Sequence, residues 1–175
     1  MNPTQQPLPE SQGWPKRPWH PVFWLSTWFG IGLLRPAPGS WGSLAALPVA
    51  YMLALAGGAM ALAGAAFALF FVGLWASGRY GMMTARSDAP EVVIDEVVGQ
   101  WLALLPVVAW ACANPWLWAA AFVLFRLFDI AKPWPIGWLD RELKGGLGVM
   151  ADDAVAGMAT ALVLIALMQS GLVAL

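Results

Sequence analysis

Residues 44–77 read LAALPVAYMLALAGGAMALAGAAFALFFVGLWAS, and no charged side chain occurs anywhere between Arg35 and Arg79. A run this apolar and this long predicts helix, and the Gly57-Gly58 pair near its middle predicts a tight turn between two helices, 44–56 and 59–77. The pattern repeats between Glu96 and Arg126, where Asn114-Pro115 divides residues 97–111 from 116–125, and a last apolar helix is expected over 154–169. Several of these pieces are shorter than the roughly 20 residues that a full membrane crossing prefers, so partial or tilted insertions are compatible with them. The fold class expected is all-α: an integral membrane helical bundle of about five apolar helices plus an N-terminal interfacial segment.

Composition agrees with that reading. Of the 175 residues 60% are hydrophobic and 11% charged, against roughly 45–50% and about 25% in ordinary globular chains. A soluble bundle of this size could not hide so much apolar surface, and lipid must take up the remainder. The net charge of −1 argues neither for a nucleic-acid partner nor for an acidic tail, and no nucleic acid is expected. A single cysteine, Cys112, allows no intrachain disulfide.

The N-terminus opens with Pro and Gln and lacks the order of a secretory signal. Residues 1–13 are read as a disordered tail, and 14–175 as one membrane-embedded domain. Residues 14–34 carry Trp14, Trp19, Trp24 and Trp28, but their continuous apolar part, 22–34, is too short for hydrocarbon about 30 Å thick, which places this segment at the interface. Lys16, Arg17, Arg35, Arg79, Arg86, Arg126, Lys132, Arg141 and Lys144 all fall outside the two hairpins. If each hairpin enters and returns, every basic loop lies on one side, which the positive-inside rule makes cytoplasmic.

All the acidic residues except Glu10 lie between Asp88 and Asp153. The first pair, Asp95-Glu96, enters the third apolar helix, and the second, Asp152-Asp153, is expected just before the last one. Acids in a first helical turn suit the macrodipole, so capping explains either pair taken alone. Two pairs in one small membrane protein suggest more: hard oxygen ligands from separate helix starts can bind Mg²⁺, which keeps waters and is completed by substrate phosphate oxygens. Gly99 and Gly157 follow within a turn and are expected to leave room for a ligand. Arg126, Asp129 and Lys132 are spaced three apart, hence on one helix face before Pro133-Trp134-Pro135. They form either a surface ion-pair ladder or a phosphate grip in which Asp129 orients the cations or binds metal. Asp140, Arg141, Glu142 and Lys144 alternate in sign, as an ordinary solvated face does. Glycines before the first apolar helix, with Ser40 and Ser43, and the 145–148 stretch could present N–H and hydroxyl donors to an anion, although such runs are usually turns.

Exclusions narrow the chemistry. One histidine, His20, in an aromatic segment removes lipid phosphatases that need two. Six residues beyond Cys112 stands Trp118 and not arginine, no Asp-x-Asp occurs, and the double aspartate motif of alcohol phosphotransferases is missing. What remains is carboxylate-held metal that activates a water for attack on phosphorus.

Four ordered stretches resemble the bacterial phosphatidylglycerophosphatase A family: GLL at 32–34 with APGSWGS at 37–43, IDEVVGQW at 94–101, FRLFDIAKPWP at 125–135 and GGLGVMADDAVAG at 145–157. The family often has Thr in place of Ser40, which keeps a hydroxyl. The resemblance implies Mg²⁺-dependent hydrolysis of phosphatidylglycerophosphate to phosphatidylglycerol and phosphate, by an all-helical protein of the bacterial inner membrane with no obligatory protein partner. Carried onto this chain, it implies Asp95, Glu96, Asp152 and Asp153 as the metal set, Asp129 and Lys132 as catalytic candidates, and Arg126, Lys132, Ser40 and Ser43 toward the phosphate. Two rivals remain on the sequence alone. One is a small transporter, disfavoured because the acids sit at helix entrances and not in mid-span; the other is a scaffold whose carboxylates are only caps.

Overall fold

The computed structural model describes residues 20–86 and 89–171; the expected tail, Trp14, Trp19 and Asp88 lie outside the described residues. Among the described residues there are six α-helices, one 3₁₀ turn and no strand: α1 Pro21–Ser26, the turn Ile31–Leu33, α2 Pro38–Thr84, α3 Ile94–Trp110, α4 Pro115–Ala131, α5 Ile136–Glu142 and α6 Gly145–Gln169.

At 47 residues, α2 would reach about 70 Å if it were straight. It leaves helical geometry at Gly57 and at Gly58, whose φ of 63° and ψ of −154° suit glycine alone. Its two arms return to the same end of the molecule: Gly39 lies against the Glu96 carboxylate, and Ser77 and Tyr80 share a recess with Asp95. The glycine hairpin expected from residues 44–77 is therefore present, with longer arms. Pro38 is suited to the first helical position, so the Pro/Gly/Ser run forms the opening turns of α2 and not a loop before it. The second hairpin turns at Asn114, whose side chain accepts from the Trp116 N–H at 3.1 Å with Pro115 next in the chain.

The last helix departs from expectation. α6 begins at Gly145, not near residue 154, because three glycines in its first turn do not outweigh the tertiary contacts that hold it. Asp152 and Asp153 consequently lie about two turns inside a helix, where the macrodipole gives them no support.

The core runs along α3. Trp101 anchors it, donating Nε1–H to the Ala46 carbonyl at 3.0 Å and meeting Trp28 edge-on at 5.9 Å. Between α3 and α6 the packing is glycine-mediated. A Cβ on Gly157 would run into the Gly99 carbonyl, and one on Gly99 would meet Phe125 at 2.5 Å and the Asp153 carbonyl at 2.7 Å. Gly99 and Gly157 thus leave no room for a ligand, contrary to expectation; they let two backbones touch. Small residues at a helix crossing permit this close approach of the two backbones.

The outer surface is apolar. Met60 is 82% exposed, Leu55 70% and Phe67 69%, a belt that suits association with a membrane. Two helices, α2 and α6, are long and apolar enough to cross one, whereas α3 and α4 have 17 residues each and reach about 25 Å.

Candidate metal centre and phosphate pocket

The first turn of α3 holds Asp95 and Glu96, and the α3–α6 crossing brings Asp153 to them. One carboxylate oxygen from each of Asp95, Glu96 and Asp153 lies within 4.8 Å of the others. Asp95 Oδ1 and Glu96 Oε2 are buried without a hydrogen-bond partner, an expensive state unless a cation meets them. Three close carboxylates with oxygen-only donors fit a hard divalent ion such as Mg²⁺ better than Zn²⁺, which favours nitrogen and sulfur. His20 and Cys112 take no part: His20 caps α1, and Cys112 lies beyond the far end of α3, its carbonyl accepting from Trp118 at 2.9 Å.

The cluster lines a cavity of about 470 Å³ that also receives Arg126, Asp129, Lys132, Asp140, Lys144 and Asp152. Arg126 extends from α4 and binds Asp129 at 2.7 Å, one turn on; Glu96 is 4.0 Å away, and Ser43 Oγ accepts from the guanidinium at 3.4 Å. Its Nε–H is buried and unpartnered, while the residue as a whole borders the cavity. Glycine at position 39 allows this arrangement, since a Cβ there would collide with the Glu96 carboxylate and come within 3.0 Å of the guanidinium.

Lys132 does not continue the Arg126–Asp129 helix face. It caps α4 with a left-handed φ of 43°, which swings its ammonium toward Asp152, at 2.8 Å, and Asp140. Burial opposes its charge, but the hydrogen bonds it donates to Asp140 and Asp152 outweigh burial and raise its pKa above the ordinary lysine value.

Of the four expected metal ligands the fold therefore gathers Asp95, Glu96 and Asp153, while Asp152 turns to Lys132 in the same cavity. Asp129 interacts with Asp153 and Glu96 as well as with Arg126, so it sits between the carboxylate cluster and the cation. Ser43 is buried, its hydroxyl donating to the Gly39 carbonyl at 2.9 Å; it supports Arg126 from behind. Ser40 is not among the residues lining the cavity.

Sequence reasoning missed Asp140, assigned to a solvated face. Its signal was the Pro133-Trp134-Pro135 turn, which folds α5 back so that a residue eight positions on reaches Lys132.

Residues 24–168 match the family model described as phosphatidylglycerophosphatase A. The chain is 37% identical to phosphatidylglycerophosphatase A of Escherichia coli K12, covering 82% of this chain and 80% of that protein. It is also 37% identical to phosphatidylglycerophosphatase A of Haemophilus influenzae, over 85% and 89% of the two chains. A third relative, from Bacteroides thetaiotaomicron, bears the provisional name phosphatidylinositol-3-phosphatase and is 36% identical over 82% of this chain and 91% of its own. No solved structure matches the chain.

Proposed function

The chain belongs to the phosphatidylglycerophosphatase A family and is a phosphatase, and on that premise we propose that it hydrolyses phosphatidylglycerophosphate to phosphatidylglycerol and phosphate, with Mg²⁺, at the cytoplasmic face of a bacterial inner membrane that α2 and α6 cross. The observation that carries the metal dependence is the convergence of Asp95, Glu96 and Asp153 within 4.8 Å from two helices. Mg²⁺ held there would neutralise phosphate charge and lower the pKa of a water, the main needs of phosphoester hydrolysis.

This chain's own residues do the rest. Arg126 borders the cavity and its guanidinium binds a phosphate oxygen there while Nη1 stays fixed by Asp129. Asp129 is placed to accept a proton from a water beside the cluster, since it faces Asp153 on one side and Arg126 on the other. Lys132, held protonated by Asp140 and Asp152, supplies fixed positive charge near the leaving oxygen. The apolar α2–α6 walls keep the acyl chains in lipid and bring only the headgroup to the acids. Topology follows from charge: the described basic residues leave both hairpin tips, at Gly57-Gly58 and Asn114-Pro115, uncharged, and the positive-inside rule puts the acid-bearing end in the cytoplasm.

The test is phosphate release from phosphatidylglycerophosphate in detergent micelles by the purified full chain. Activity is expected with Mg²⁺, none with excess chelator, and recovery on adding Mg²⁺ back. Equal activity with and without chelator would refute the metal dependence, and no release from this lipid under any condition would refute the substrate assignment.

A further inference from the structure

Beside the acid-lined cavity lies a second cleft of about 240 Å³ between the end of α2 and the start of α6. Its charge is opposite in kind. Ser77, Gly78, Gly81, Met82, Ala85, Arg86 and Gly145 line it, with no carboxylate among them. Gly145 lines both spaces, so the cleft adjoins the phosphate pocket at the N-terminus of α6.

Two cations stand at that junction. Lys144, next to Gly145, lines the main cavity, makes no ion pair among the described residues, and gives its ammonium only to the Arg141 carbonyl at 3.1 Å. The other cations of the cavity, Arg126 paired with Asp129 and Lys132 with Asp140 and Asp152, are those assigned above to the reacting phosphate. Arg86 is 62% exposed at its side chain and meets Glu91 only at 3.7 Å, a distance at which an exposed pair holds it weakly. Gly145 itself has open space where a side chain would project.

We propose that this cleft is the subsite for the second, phosphodiester group of the lipid headgroup, with Lys144 and Arg86 binding its charge and the glycerol backbone leaving toward lipid past Met82. The inference rests on the substrate assignment above and adds the residues that read the headgroup. A lipid with one phosphate satisfies the acid cluster and leaves the cleft empty; one with two phosphates fills both. The backbone N–H of Gly145, in the first turn of α6, adds a neutral donor that tolerates a diester, whereas the acid-lined cavity would repel one lacking a metal. Selectivity for the longer headgroup thus resides in charges remote from the reacting phosphorus, which act on binding and orientation.

The experiment compares the wild type with the double variant Lys144→Gln, Arg86→Gln on two micellar lipids, phosphatidylglycerophosphate and phosphatidate. The ratio of their kcat/KM values is expected to fall in the variant by about tenfold or more, through KM for the two-phosphate lipid, as loss of charge-assisted hydrogen bonds predicts. An unchanged ratio would overturn the subsite while wild-type turnover of phosphatidylglycerophosphate still upheld the substrate assignment. A wild type inactive on that lipid would instead remove the assignment itself. Monodispersity of the variant in detergent, and retained binding of Mn²⁺ by the full chain, separate a failed fold from a failed subsite.

Discussion

The two acid pairs look interchangeable as dipeptides but occupy opposite local environments. Asp95-Glu96 sits in the first turn of α3, where free N–H groups and the helix dipole favour carboxylates. Asp152-Asp153 lies well inside α6, buried, where nothing in the helix itself favours a charge. The first pair could exist for the helix's sake, whereas the second costs stability and must be held by what lies across from it. Buried acids inside an apolar helix are therefore the stronger functional signal, and a start-of-helix assignment hides that signal.

The largest effect that would break this comparison is expected from Asp153→Asn and Asp95→Asn. Each should lower kcat/KM for phosphate release about 10³-fold, with helical content by circular dichroism unchanged. If Asp95 were only a cap, its variant would lose roughly 1 kcal/mol of stability or less and keep its rate.

Next in size is the crossing that joins the pairs. Gly157→Leu places a side chain against the Gly99 carbonyl and should separate α3 from α6, costing about 1–3 kcal/mol or more by overpacking. Loss of activity with a lowered melting temperature is expected, and a fully active, equally stable variant would show that the backbones need not touch.

Asp152→Asn sharpens the comparison within the second pair. Because Asp152 holds Lys132 and not the cluster, its loss should cost about 10–100-fold, well below that of Asp153. Kinetics giving equal losses for the two neighbours would place Asp152 among the ligands. The smallest effect belongs to the serines: Ser43→Ala removes one contact to Arg126 worth about 1 kcal/mol, while Ser40→Ala should change the rate less than twofold, within the roughly ±0.5 kcal/mol of ordinary surface changes.

Both hairpins were legible because charge-free runs and the punctuation at Gly57-Gly58 and Asn114-Pro115 are local signals. The helix starts at Pro38 and Gly145 were not, since glycine and proline there mark turns in isolation and only contacts with α3 decide otherwise. Asp95, Glu96 and Asp153 were legible as acids but not as a trio: successive residues of α6 point in different directions, and which one meets Lys132 depends on where the left-handed cap puts that ammonium. Gly99 and Gly157 carried the signal for the crossing, yet spacing cannot tell a glycine that makes room from one that removes distance.

Binding of Mn²⁺, followed by its electron paramagnetic resonance signal in the purified full chain, tests the carboxylate cluster most directly. The wild type should take up the ion saturably, compete it with Mg²⁺ and release it to chelator, and Asp153→Asn should fail to bind at the same concentrations while remaining monodisperse. Undiminished uptake by a folded Asp153→Asn, Asp95→Asn double variant would contradict the account.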